Sequence, residues 1–240
     1  MIALVVSLVA VPLLAWWLSG PLRRWPMAFY AATLVLDAAY ALLVGPGVSP
    51  IVVAAFIVPM QRCYFAFALF TVVMFIGVFP QGSTVRQRLA PVRAELSICA
   101  ALLACAHVAR YATSYFGLLF GPGALVGNVQ VALGAAALLV VLLAVLTVTS
   151  ARAVKTRMAA RSWKAIQRFA YVFYGLIWAH VVIALWPSAV GGAPSAMAVL
   201  AVYTAIMVVY AVARIARALA SEDRSRDAVR ESDEPALSVG

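Results

Sequence analysis

The chain has 240 residues, of which 66% are hydrophobic and only 11% charged, and its mean hydropathy is +1.03. A soluble globular domain carries about 25% charged residues, so composition excludes that class. The formal charge of +10 fits arginine and lysine gathered in cytoplasmic loops. No basic stripe with interleaved aromatics lies outside the apolar runs, so nucleic acid is not an expected partner.

The apolar residues fall in segments of about 20, the length a helix needs to cross a bilayer. Lipid offers the backbone no hydrogen bonds, so spanning segments must be helical. The sequence therefore predicts an all-α integral membrane bundle of seven transmembrane helices. The first covers about 1–18; it lacks a basic leader region and a small-residue cleavage site, so it reads as a span rather than a signal peptide. The turn PLRRWP follows, with Arg23 and Arg24. The second helix covers about 27–45 and ends at the Gly/Pro turn GPGVSP. The third, about 51–79, is long for one crossing, and a kink at Pro59 or an extension outside the membrane is expected.

A basic loop with Arg86, Arg88 and Arg93 leads to the fourth helix, about 94–112, with Glu95 near its positive N-terminal end. The Gly-rich stretch FGLLFGPGALVG precedes the fifth, about 126–149. The most basic loop holds Arg152, Lys155, Arg157, Arg161, Lys164 and Arg168. The sixth helix covers about 166–186 and is expected to stop before Pro187; the seventh covers about 195–216. Residues 217–240 mix both charges without apolar periodicity and read as a disordered cytoplasmic tail, leaving 1–216 as the membrane domain. The basic ends follow helices one, three, five and seven, so the N-terminus is predicted outside and the C-terminus inside a plasma or inner membrane.

Ionisable residues within spans mark functional sites. The two histidines, His107 and His180, fall at similar depth in helices four and six, which run in the same direction. Two imidazoles facing one another across a slot are the axial ligands of a heme. They are therefore the candidate metal ligands, in the outer half of the membrane. Gly175 is expected to leave room for a macrocycle, with Tyr171, Phe173, Tyr174 and Trp178 lining the slot. Arg110, one turn beyond His107, is the better candidate for a heme propionate and Arg62 the second. For Arg62 the preferred reading is an ion pair with Asp37 near the midplane. The cysteines, Cys63, Cys99 and Cys105, form no CxxC pair and read as packing residues.

The segment TSARAVKTRMAARSWKAIQRFAYVFYGLIWAH, with Thr149-Ser150, Trp163-Lys164, Arg168 and His180, resembles the ferric reductase-like transmembrane domain family. It is most similar to the MsrQ type, the heme-binding membrane subunits of periplasmic methionine sulfoxide reductase systems. RLAPVRAELSICAALLACAHVARY, with His107, resembles that family's earlier helix. The resemblance spans roughly 62–186. It implies a membrane b-type cytochrome, an electron-transfer subunit of an oxidoreductase system. Quinol or a cytoplasmic flavin reductase would be the donor, with quinone or flavin as further cofactors. An extracytoplasmic reductase or flavoprotein would be the partner. Gln167 stands where that family has a further histidine, and no ligand stands at Arg93 or Ala94. One heme b, on the outer side, is therefore expected. The competing reading is a heme-free membrane anchor or transporter-like protein whose histidines are structural or carry protons.

Overall fold

The structure, a computed structural model, describes residues 1–120 and 127–233, with side chains placed for 1–115 and 127–221. Among the described residues every regular element is helical. In chain order these are α1 (Ile2–Arg24), α2 (Pro26–Leu43), α3 (Pro50–Val52), a π-helical turn (Val53–Ile57), α4 (Val58–Gln61), α5 (Tyr64–Phe75) and α6 (Thr84–Leu89). They continue through a 3₁₀ turn (Ala90–Val92), α7 (Arg93–Phe120), α8 (Asn128–Ser150), α9 (Arg152–Lys155), α10 (Ala160–Gln167), α11 (Phe169–Val190) and α12 (Pro194–Asp233). Six stretches are long and apolar enough to cross a membrane, and the bent pair Pro50–Gln61 and Tyr64–Phe75 passes the same test jointly. The chain is a multi-pass helical membrane protein.

The third apolar stretch is broken, and the break explains much of what surrounds it. Pro59 has no N–H to donate to residue 55. The backbone absorbs this by widening into the π turn directly before it. The sharp bend comes later, at Arg62–Cys63, where Cys63 adopts φ 60°, the left-handed region. There the axis turns by 56°. The Arg62 and Cys63 amides fold back on Val58 and Met60, and the helical ladder does not continue across Gln61.

Beyond the bend, α5 is apolar on all sides, as a helix buried at a bundle centre must be. Tyr64, Ala66 to Phe70 and Val72 to Met74 are all buried. α1 and α7 pack directly on α5; α2 packs on α7, α8 on both α7 and α11, and α12 on α11. An aromatic cluster joins α5 to α11 and α12. Phe67 stacks on Tyr203 with ring centroids 4.1 Å apart, Phe70 meets Phe173 edge-on at 5.1 Å, and Tyr174 meets Tyr210 at 5.3 Å. Such pairs contribute about 0.5–1.5 kcal/mol beyond area burial.

Four boundaries differ from the sequence reading. α1 runs through Pro21 to Arg24 rather than ending near 18, so most of the expected PLRRWP turn is helix. α7 extends to Phe120 rather than ending near 112; residues 121–126 of the expected Gly-rich loop lie outside the described residues. α11 runs through Pro187 to Val190. A proline there leaves the Ile183 carbonyl without its helical donor, and the Asn128 side chain, 3.4 Å away, takes that place. α12 does not end near 216 but continues to Asp233. The expected tail therefore begins as helix.

The basic ends of the helices are tied into one face by their own contacts. Arg88 Nε donates to Trp16 O at 3.1 Å and Ser19 Oγ at 3.0 Å, and Arg86 donates to Phe79 O at 3.1 Å. Arg214 donates to the Tyr171 hydroxyl at 2.7 Å and to Gly77 O at 3.4 Å. Truncating the central ring, Phe67→Ala, is expected to lower the free energy of unfolding in detergent by about 3–5 kcal/mol, with Phe67→Leu losing less; titration with SDS measures both.

Candidate heme site

Both histidines are half-buried and lie on helices that flank α8. His107 is the fifteenth residue of α7 and His180 the twelfth of α11. They stand about 21 Å and about 17 Å along their helices, a difference smaller than one turn. Each ring is within electrostatic reach of the other.

Each histidine is oriented by a backbone carbonyl of another element. His107 Nδ1 lies 2.7 Å from Gln61 O, and His180 Nδ1 lies 3.0 Å from Ala132 O on α8. A carbonyl only accepts, so in the neutral ring the proton sits on Nδ1 in both cases. That leaves the Nε2 lone pair free, and neither Nε2 has a hydrogen-bond partner among the described residues. A metal-bound imidazole is held in the same manner, its far N–H donated to a carbonyl or carboxylate that fixes tautomer and ring plane. Gln61 can serve because the bend at Arg62–Cys63 takes its carbonyl out of the helical ladder. Ala132 uses the second lone pair of a helical carbonyl.

The other predicted site residues divide. Arg110 lies one turn beyond His107 on the same side of α7, is exposed, and reaches Tyr40 electrostatically. Arg62 caps α4 at the bend, exposed and close to the Tyr64 hydroxyl. The expected Asp37–Arg62 ion pair does not form. Asp37 instead turns toward Cys63 and Cys105, with one carboxylate oxygen buried and without a hydrogen-bond partner. The bend carries the Arg62 side chain off the line that a straight span gives it.

Tyr174 does not line the side of α11 that bears His180. It is 1% exposed, its hydroxyl is 2.9 Å from Thr71 Oγ1, and its ring belongs to the aromatic cluster. Phe173 packs on Phe70, Trp178 Nε1 donates to Thr204 at 3.0 Å, and Tyr171 is held by Arg214. Tyr171, Tyr174 and Trp178 thus lie on the side of α11 that meets α5 and α12, whereas His180 faces α8; Phe173, two turns before His180 on the same side of the helix, meets α5 at a different level. Gly175 precedes His180 by five positions, about 140° around the helix at 3.6 residues per turn. Open space does lie beside it, but on another side of α11.

The residues of the TSAR…WKAIQR stretch tie two helix ends together. Trp163 Nε1 donates to Thr149 O at 2.9 Å, Gln167 Nε2 donates to Thr149 Oγ1 at 2.9 Å, and Lys155 sits 4.5 Å over the Trp163 ring. Gln167 is therefore committed to Thr149. The site elements that sequence reading misses are the two acceptors, Gln61 O and Ala132 O. As backbone atoms they carry no side-chain signal; only the break after Pro59 hinted at the first.

The donor set suits a heme better than a metal held by protein alone. Among the described residues no three His, Cys, Asp or Glu side chains converge on one point. A porphyrin brings four nitrogens of its own and asks the protein for two axial ligands.

In comparisons with known proteins, the chain is 34% identical over 216 residues to an "Uncharacterized protein" of Treponema pallidum (strain Nichols), a match covering 89% of this chain. The chain spans about 60% of that relative's length. No protein-family profile matches the chain, and no solved structure matches it.

The Gln167–Thr149 bond makes a specific prediction. Gln167→Leu and Thr149→Val are each expected to destabilise the protein by about 1 kcal/mol, and the double substitution by little more than either alone. A double-mutant cycle in detergent unfolding measures the coupling.

Proposed function

We propose that the chain is a membrane b-type cytochrome subunit. It holds one heme between His107 on α7 and His180 on α11, and passes single electrons from quinol or a flavin donor to an acceptor or reductase outside the cytoplasm. The observation that carries this reading is the shared state of the two rings. Each has its Nδ1 proton given to a carbonyl of a neighbouring element, and each has Nε2 free. The two rings share that state at similar depth along helices that flank α8, and both Nε2 lone pairs remain for a common ligand.

A bound heme b supplies a one-electron ferric–ferrous couple. Around it the chain's own residues do the holding and tuning. Gln61 O and Ala132 O raise the basicity of the two imidazoles and lock their planes. Arg110, on the His107 side and one turn further along, is positioned to pair with a propionate. The apolar walls of α7, α8 and α11 exclude water, which sets the potential through the local dielectric.

Topology fits the same reading. With the bent third stretch counted as one crossing, the chain makes seven spans. On this reading the basic helix ends lie in the cytoplasm under the positive-inside rule, and the N-terminus lies outside. The histidines are then in the outer half of a plasma or inner membrane, beside an extracytoplasmic partner. Gln167, bonded to Thr149, offers no further ligand, in keeping with a single heme.

A second reading rests on a different observation. Asp37 carries a buried, unpartnered carboxylate oxygen inside α2, and the Tyr40 hydroxyl one turn away is also buried and unpartnered. Intramembrane carboxylates of this kind serve proton pathways, as in a heme-free transporter-like protein.

One set of measurements separates the two. The purified protein is expected to show a reduced-minus-oxidised b-type absorption difference. His107→Ala and His180→Ala should each abolish it, and Arg110→Gln should shift the midpoint potential while keeping the band. A colourless preparation, or histidine variants with unchanged spectra and altered proton flux in liposomes, would give the case to the transporter reading.

A further inference from the structure

On the far side of α5 from the histidines lies a groove of about 730 Å³ between α1, α5 and α12, walled by Leu8, Trp16, Phe75, Phe79, Val85 and Ile206 among others. Its wall is apolar throughout. The one hydroxyl in it, Thr71, is already bonded to Phe67 O and to Tyr174, so the groove offers a ligand no polar partner along its length. Hydrocarbon is what such a wall accepts.

The basic end of the groove differs. Trp16 forms part of the wall, and the Arg88 guanidinium lies over its ring with Cζ 4.7 Å from the centroid. Arg88 Nε is taken by Trp16 O and the buried Ser19 hydroxyl. Among the described residues both terminal amino groups of Arg88 are left without partners, on a guanidinium held in place by these contacts. Arg86 stands beside another wall residue, held by the Phe79 carbonyl through one nitrogen. Arg93 lies within electrostatic reach of Arg86.

No carboxylate neutralises these groups among the described residues. Up to residue 221 the chain has only two acids, Asp37 and Glu95; Asp37 faces Cys63 and Cys105, and Glu95 faces Tyr30 and Cys99. A planar guanidinium fork, oriented beforehand and unpaired, matches the two oxygens of a phosphate. A basic pocket over an apolar cleft therefore asks for one amphiphile bearing both parts.

We propose that this groove is a binding site for one anionic phospholipid, an acyl chain lying between α1, α5 and α12 and the phosphate gripped by Arg88 and Arg86. The fixed Arg88 fork holds the phosphate, the uncompensated charge of Arg88 and Arg86 favours a headgroup without its own cation, and the apolar groove separates a lipid from free phosphate. An uncharged isoprenoid such as a quinone suits the groove but leaves the arginines unpaired.

The test is native mass spectrometry of the full chain in detergent micelles doped with equal amounts of phosphatidylglycerol and phosphatidylcholine. The wild type is expected to keep one phosphatidylglycerol per chain with a preference of at least about tenfold, the size of one charge-assisted contact. Arg86→Gln with Arg88→Gln should erase the preference. Arg88→Lys, which keeps the charge but not the fork, should weaken retention of the lipid while keeping the preference, and Arg23→Gln, on the same basic face but off the groove, should leave both intact. Ile206→Trp, which fills the groove and spares both arginines, should expel the lipid. Equal retention of the two lipids by the wild type would overturn the proposal. So would a loss in Arg23→Gln as large as in the double variant, displacement of the lipid by inorganic phosphate alone, or a co-purifying quinone that Ile206→Trp releases. Melting temperatures of all variants in lipid-free detergent identify any that fail to fold, and the remaining variants then decide.

Discussion

A carbonyl group buried in a membrane protein must find a donor, because lipid supplies none. Around that requirement the histidine pair is arranged. Breaking the third apolar stretch at Arg62–Cys63 takes the Gln61 carbonyl out of its helix, and His107 answers it from α7 at 2.7 Å. His180 answers Ala132 on α8. In both cases a polar side chain that lipid would penalise by several kcal/mol if left unsatisfied becomes a strut between elements. The same rule appears at the far end of α11, where Pro187 frees the Ile183 carbonyl and Asn128 takes it. Irregular backbone meets a polar side chain at Gln61 and at Ile183, while Ala132, inside a regular helix, lends His180 its second lone pair.

The rest of the bundle keeps those struts in place. α5 is the centre, and its aromatic contacts with α11 and α12 fix the rotation of α11 about its own axis. With Tyr174 and Trp178 turned toward α5 and α12, His180, about 120–160° around the helix from them, faces α8. The side of α11 that carries His180 therefore follows from packing on α5 and α12, not from any demand of the site. At the basic end, Arg86 and Arg214 donate to carbonyls at the C-terminal side of α5, where cations offset the helix's negative end. One class of residue there serves topology and end-capping together.

Much of this was legible in the chain. Apolar runs of about 20 residues give the helices, Arg and Lys clusters give the common basic face, and the rarity of histidine singles out His107 and His180. What could not be read falls into two kinds. The first is backbone chemistry: the acceptors Gln61 O and Ala132 O have no side-chain signature. The bend at Cys63 depends on a left-handed conformation that sequence statistics assign to glycine or asparagine. The second is helix rotation. Tyr174 and Gly175 were placed beside His180 by nearness in sequence, yet positions five and six residues apart lie well around a helix from one another. Asp37 and Arg62 were paired by depth alone, and the 56° bend between α4 and α5 carries one away from the other. Trp163 and Gln167 work together, and what they grip is the end of α8.

The length of α12 has a mechanical consequence. Its 40 residues rise about 60 Å, twice the hydrocarbon thickness of a bilayer. Because the final stretch is a continuation of a packed helix and not a string attached to one, it stands at a set angle from the bundle. A molecule that grips its charged end is held at a defined height and bearing over the bundle's basic face, and a force on that end reaches Tyr210 and Tyr203 as tilt rather than being lost in slack.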